Sequence, residues 1–155
     1  MSKILIIEDE QRKLDNLKDF LKKEFPDVEF EERRSYNSAL REIVENHKKY
    51  DLVLLDMSMS TYDVSTEELG GVPEPLAGEK ILDTMYLNEI PTKAIVVTMY
   101  ESFVGKKLTE FHLELKNTYS NNYLGYVFFS HKKTDWKLEL KKNINSYYDK
   151  NINNR

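Results

Sequence analysis

The chain has 155 residues, with 23 Lys plus Arg against 27 Asp plus Glu, a net charge of -4 and no cysteine. That length suits one domain with a sizeable core, and near-balanced charge without a basic block argues against direct nucleic-acid binding. Lack of cysteine excludes disulfides, thiolate catalysis and sulfur-built zinc sites, while no apolar run approaches the ~18 residues of a membrane span or forms a signal-peptide core, so a soluble, cytoplasmic protein is expected.

The elements alternate along the chain. A first strand from Lys3 to Ile7 leads into a helix near Glu10 to Phe25, whose Leu14, Leu17 and Leu21 recur at helical spacing before Pro26. Val28 to Arg33 reads as a second strand. Ser35 or Asn37 can cap a second helix with Ala39, Leu40, Ile43 and Val44 facing inward. Leu52 to Asp56 is the third strand, and Ile81, Leu82 and Met85 mark the third helix. Ala94 to Thr98 is the fourth strand. Val104, Leu108, Phe111 and Leu115 mark a long fourth helix extending through Asn117 to Asn122. Tyr126 to Ser130 is the fifth strand. Asp135 or Thr134 caps a last helix with Leu140, Ile144 and Tyr147 inward. Such alternation implies right-handed crossovers and a parallel sheet with helices on both faces.

Two apolar runs end in acid. Ile4-Leu5-Ile6-Ile7 runs into Glu8-Asp9, and Leu52-Val53-Leu54-Leu55 into Asp56. Open α/β sheets collect ligands at the carboxyl ends of their strands, so the three acids are expected to meet there. Their repulsion in a partly desolvated cleft would raise at least one pKa unless a cation joins them, and hard oxygen donors favour Mg²⁺.

With Tyr50-Asp51 before the second run and Ala94-Ile95-Val96-Val97-Thr98 later, these motifs resemble, in order and spacing, the receiver domain of two-component response regulators. The resemblance covers nearly the whole chain. It implies an α/β, flavodoxin-like fold, a doubly wound (βα)₅ five-stranded parallel sheet over residues 1–150, with a loop insertion at 58–76 and a frayed tail at 151–155. It also implies that Asp56 is the phosphoacceptor, taking phosphate from a phosphohistidine of a sensor histidine kinase or phosphotransfer protein. Asp9 resembles the direct Mg²⁺ ligand, Glu8 its partner through water, and the main-chain carbonyl of Ser58 the third protein oxygen. Thr98 resembles the hydroxyl residue that hydrogen-bonds the phosphoryl group. No output domain is expected after the last helix, so the response would pass through contacts with a protein target, as in stand-alone receivers.

Departures from the family pattern are specific. Met99 stands where a small residue is usual, and Tyr100 and Ser58 take positions that set the lifetime of the phosphoryl group. The family's lysine is assigned to Lys133, with Lys132 as second choice, by counting back from the last helix. Counting forward from Gly125-Tyr126-Val127 reaches Phe129 instead, which implies a local insertion or bulge. Tyr126 or Phe128 is a candidate for the aromatic that reports phosphorylation. Ser58 to Leu76 contains Gly70-Gly71, Pro73, Pro75 and several acids, the composition of a polar, flexible insertion. His47, His112 and His131 are expected at exposed positions and form no site.

Other classes fit less well. An aspartyl phosphohydrolase needs a second acid two residues after the nucleophile, where this chain has Ser58. A flavodoxin-type module needs a phosphate loop that Glu8-Asp9 would repel. The alternative is a degenerate receiver that binds proteins without phosphorylation.

Overall fold

The computed structural model describes residues 2–63, 73–103 and 105–153. Its five-stranded sheet comprises β1 (Lys3–Ile7), β2 (Glu29–Arg33), β3 (Leu52–Leu55), β4 (Lys93–Thr98) and β5 (Tyr123–Phe128). All pairings are parallel, in the order β2-β1-β3-β4-β5. Between and after the strands lie α1 (Gln11–Glu24), α2 (Tyr36–Asn46), α3 (Ala77–Leu87), α4 (Leu108–Thr118) and α5 (Asp135–Asn153). This is the parallel sheet with helices on both faces expected from the alternation of elements.

Side-chain alternation divides the core into two layers. Leu5, Ile7, Val53, Leu55, Ala94 and Val96 meet the inner faces of α2, α3 and α4 on one side. Ile4, Ile6, Leu52, Leu54, Ile95 and Val97 meet α1 and α5 on the other. Because β1 and β3 are covered on both faces, they read as unbroken apolar runs, and polar residues return only where each strand leaves the sheet.

Several boundaries differ from the sequence reading. Ser35 caps α2 through a capping box with Ser38, which serves the orphan N–H groups of the first turn. Val44 is 49% exposed, and Glu42 is buried instead because Tyr50 and Arg33 bond its carboxylate. The fourth helix stops at Thr118 rather than continuing to Asn122, whose amide turns inward to donate to the carbonyls of Ile90 and Thr92. The last helix runs to Asn153.

The fifth strand starts three positions early. Ala94 pairs with Tyr123 but Ile95 with Gly125, so exposed Leu124 forms a bulge and Gly125 adopts φ 153°. This bulge lies before Gly125, outside the span over which the two lysine counts diverge. The end of β5 is regular, leaving Phe129 directly beyond the last paired residue, Phe128.

Residues 64–72 of the 58–76 insertion lie outside the described residues, as does Val104. The insertion's ends are defined: Met59–Ser60 pairs antiparallel with Pro73–Glu74. Asn37 N–H donates to the Thr61 carbonyl at 3.0 Å, tying the outgoing end to α2. A second ribbon pairs Ser102–Phe103 with Lys106–Lys107 just before α4.

Candidate functional site

Glu8 and Asp9 follow β1, and Asp56 follows β3. Since β1 and β3 are register neighbours, with Ile7 opposite Leu55, their ends bring the three acids together. An oxygen from each lies within 4.8 Å of the others. Glu8 is 1% exposed and Asp56 6%. They border a cleft of about 190 Å³ lined also by Asp9, Lys13, Ser58 and Met99.

A cation from α1 enters the acids. Lys13 Nζ lies 2.6 Å from Glu8 Oε2 and 3.3 Å from Asp56 Oδ1, and it donates to the Val97 carbonyl at 2.6 Å. Its side chain is 1% exposed. All three ammonium protons thus have acceptors, the condition under which a buried lysine is tolerated. Burial works against the ammonium, but Asp56 and Glu8 outweigh it and raise the Lys13 pKa. Burial raises the Glu8 and Asp56 pKa values, and Lys13 opposes the rise in both.

Hydrogen bonds hold each acid in place. Asp56 Oδ1 accepts from Met57 N–H at 2.8 Å, and Glu8 Oε1 accepts from Glu10 N–H at 3.1 Å. Asp9 Oδ2 accepts from the N–H and hydroxyl of Ser60, at 2.9 and 3.1 Å, so the outgoing end of the insertion orients this acid.

The remaining predicted residues are distributed unevenly. Thr98 ends β4, fully buried, and its hydroxyl accepts from Tyr100 N–H at 3.2 Å. Ser58 and Met99 line the cleft, Met99 also packing on the core. Lys132 and Lys133 are exposed, and no ion pair joins either to an acid among the described residues. Phe129, at the position reached by counting forward, is 1% exposed with its ring centroid 5.8 Å from Lys13 Nζ. Tyr126 is half-buried against the core and Phe128 is exposed.

The histidines form no cluster, but they are less exposed than expected. His131 Nε2 sits 2.6 Å from Glu10, His112 Nδ1 bonds the Tyr123 hydroxyl at 2.6 Å, and His47 Nδ1 lies 3.2 Å from the Ile43 carbonyl.

Sequence reasoning missed Lys13 and Ser60. A signal for Lys13 was present: it precedes Leu17 and Leu21 by four and eight positions, placing a lysine on the apolar stripe of α1 one turn beyond the acids. Ser60 carried no comparable signal.

Over 148 residues the chain is 32% identical to the Detocs response regulatory protein DtcB of Enterobacter cloacae, covering 92% of this chain and 97% of DtcB. The chain belongs to the response-regulator receiver family. No protein-family model matches it. Among solved structures, a receiver domain from Clostridium thermocellum superposes with a TM-score of 0.68 at 20% identity, covering 100% of both chains. The response regulator TrrA of Thermotoga maritima, solved in complex with Mg²⁺ and BeF, gives 0.60 at 22% identity over 92% of this chain and 99% of TrrA. TrrA was also solved in complex with the histidine kinase ThkA, a structure that gives a TM-score of 0.58.

As a receiver, the chain carries its acidic cluster at the typical phosphoacceptor site. Receivers are signalling modules of two-component systems, with no enzymatic activity apart from their own phosphotransfer. The acids fit a divalent cation on charge grounds. Ionised Glu8, Asp9 and Asp56 carry three negative charges against one on Lys13, and all their donors are hard oxygens. No helix among the described residues is long and apolar enough to cross a membrane.

Proposed function

We propose that this receiver accepts a phosphoryl group on Asp56 from a phosphohistidine of a sensor kinase or phosphotransfer protein, and signals through protein contacts. The observation that carries this reading is the Asp56 carboxylate, buried at the end of β3 with oxygens of Glu8 and Asp9 within 4.8 Å. Glu8, Asp9, Asp56 and the Ser58 carbonyl would hold Mg²⁺, which supplies charge neutralisation between an anionic nucleophile and an anionic phosphoryl donor.

The chain's own groups divide the remaining work. Met57 N–H fixes one Asp56 oxygen at 2.8 Å, leaving the other as the nucleophile. Thr98, one strand away, offers a hydroxyl that can turn from Tyr100 N–H toward the new phosphoryl oxygens. Kinase partnership draws support from the TrrA–ThkA complex, which has the same fold.

Incubation with Mg²⁺ and phosphoramidate, followed by intact mass, tests the proposal. A phosphoryl adduct is expected on the wild type and absent from Asp56→Asn. No adduct on the wild type, or one that survives Asp56→Asn, refutes it. The first result favours the second reading, a receiver that binds proteins without phosphorylation, for which the supporting observation is that Phe129, the position reached by counting forward along β5, is buried and is not a lysine.

A further inference from the structure

We propose that Lys13 on α1, rather than a lysine following β5, is the cation that receives the phosphoryl oxygens at Asp56; this rests on Asp56 being the phosphoacceptor. The Lys13 ammonium is already inside the site. It bonds Glu8 and the Val97 carbonyl at 2.6 Å each and reaches Asp56 Oδ1 at 3.3 Å. The two short bonds come from an acid and a backbone carbonyl that transfer leaves unchanged. The longest comes from the nucleophile, whose charge changes during transfer. Exchanging that one contact for a phosphoryl oxygen keeps every ammonium proton bonded and moves the charge only a short distance.

The usual direction of approach is closed. Phe129 fills the space beyond β5, its ring centroid 4.7 Å from that of Trp136 and 5.0 Å from that of His131. His131 is in turn joined to Glu10 on the loop before α1. An aromatic wall thus stands where a lysine from β5 would enter, while Lys132 and Lys133 lie exposed outside it. A second cation entering from that side would have to displace packed rings.

The transfer step balances without further reactants. A lone pair on an Asp56 carboxylate oxygen forms the new O–P bond as the donor's P–N bond breaks. The departing nitrogen keeps the bonding pair and takes a proton from solvent. Lys13 keeps its three protons throughout, so its part is electrostatic.

Beryllofluoride with Mg²⁺, which occupies the place of a phosphoryl group, provides the test. In wild-type protein labelled with ¹⁵N-lysine, the Lys13 Nζ resonance, assigned by its disappearance in Lys13→Arg, is expected to shift on adduct formation while those of Lys132 and Lys133 stay fixed. Lys13→Met, shown to be folded by circular dichroism, is expected to lose about a hundredfold in beryllofluoride affinity measured by ¹⁹F NMR, the scale of removing one preorganised donor. An adduct that leaves the Lys13 resonance unmoved, or moves that of Lys132 or Lys133 instead, overturns the assignment while Asp56 remains the acceptor. So does a folded Lys13→Met that binds as tightly as wild type. If the wild type forms neither a beryllofluoride nor a phosphoryl adduct, the phosphoacceptor reading itself fails, and this inference with it.

Discussion

Gly78 is packed against the backbone of Asp56 and Met57: a Cβ built on it would lie 2.7 Å from the Asp56 carbonyl oxygen and 3.0 Å from Met57 Cα. Gly78 N–H donates to the Met57 carbonyl at 2.9 Å, so the first turn of α3 leans directly on the end of β3. A methyl group there must push helix and strand apart.

Gly78→Ala is therefore expected to destabilise the protein by roughly 1–3 kcal/mol, the cost of overpacking, despite the ~1 kcal/mol that alanine gains over glycine within a helix. Urea denaturation of wild type and variant measures the difference. An unchanged or higher midpoint would mean that the approach of α3 to Asp56 carries no steric constraint.

Metal linkage gives a second prediction. With three acids sharing one ammonium, Mg²⁺ should bind the folded chain in preference to the unfolded one, stabilising it by about 2.7 kcal/mol at a hundredfold excess over its dissociation constant. A rise of several degrees in the thermal midpoint is expected, reversed by EDTA and strongly reduced in Asp9→Asn. Equal responses from wild type and Asp9→Asn would remove Asp9 from the metal site.

Acid stability should depend on Glu31. Hydrogen bonds from Lys3, at 2.8 Å, and from Tyr50 hold its carboxyl well below the ordinary value of 4.5, at about 2. A depressed carboxylate contributes stability that is fully present above its unfolded pKa and is lost as pH falls toward the folded value. Between pH 4.5 and about 2, wild type should therefore lose stability that Glu31→Gln lacks already, giving the variant a shallower pH slope. The difference should stay within about 1 kcal/mol, because the pair is part-exposed. Denaturant midpoints across that range decide it, and parallel slopes would contradict the linkage.

Ser35→Ala removes the side-chain acceptor of Ser38 N–H, 3.2 Å away, and with it the capping box of α2. A loss of about 1 kcal/mol is expected, and Ser35→Asp should recover most of it. Equal stability of all three proteins would show that the cap contributes nothing.

The sequence made the sheet and the acids legible for one physical reason: strands buried on both faces must be apolar throughout, so Ile4 to Ile7 and Leu52 to Leu55 announce both themselves and the acids at their ends. Lys13 was harder to read because helical periodicity assigns lysines to solvent, and its departure from that pattern becomes meaningful only once Val97, on another strand, is known to accept its proton. The two lysine counts diverge because spacing alone does not say which residue after Val127 turns inward; Phe129 is buried there, and Lys132 and Lys133 are exposed. Val44 and the fourth helix's end were tertiary outcomes: Glu42 found Tyr50 and Arg33, and Asn122 found two carbonyls beneath the sheet.

The pairing of Met59–Ser60 with Pro73–Glu74 has a consequence in polymer terms. The paired ends stand at adjacent points, so the length of chain between them does not set the spacing of β3 and α3. Closure entropy grows only logarithmically, by about 0.6 kcal/mol for each doubling of loop length. Insertions between Asp63 and Pro73 should therefore cost little thermodynamically, leaving this segment open to diverge in length while Ser60 keeps its hold on Asp9.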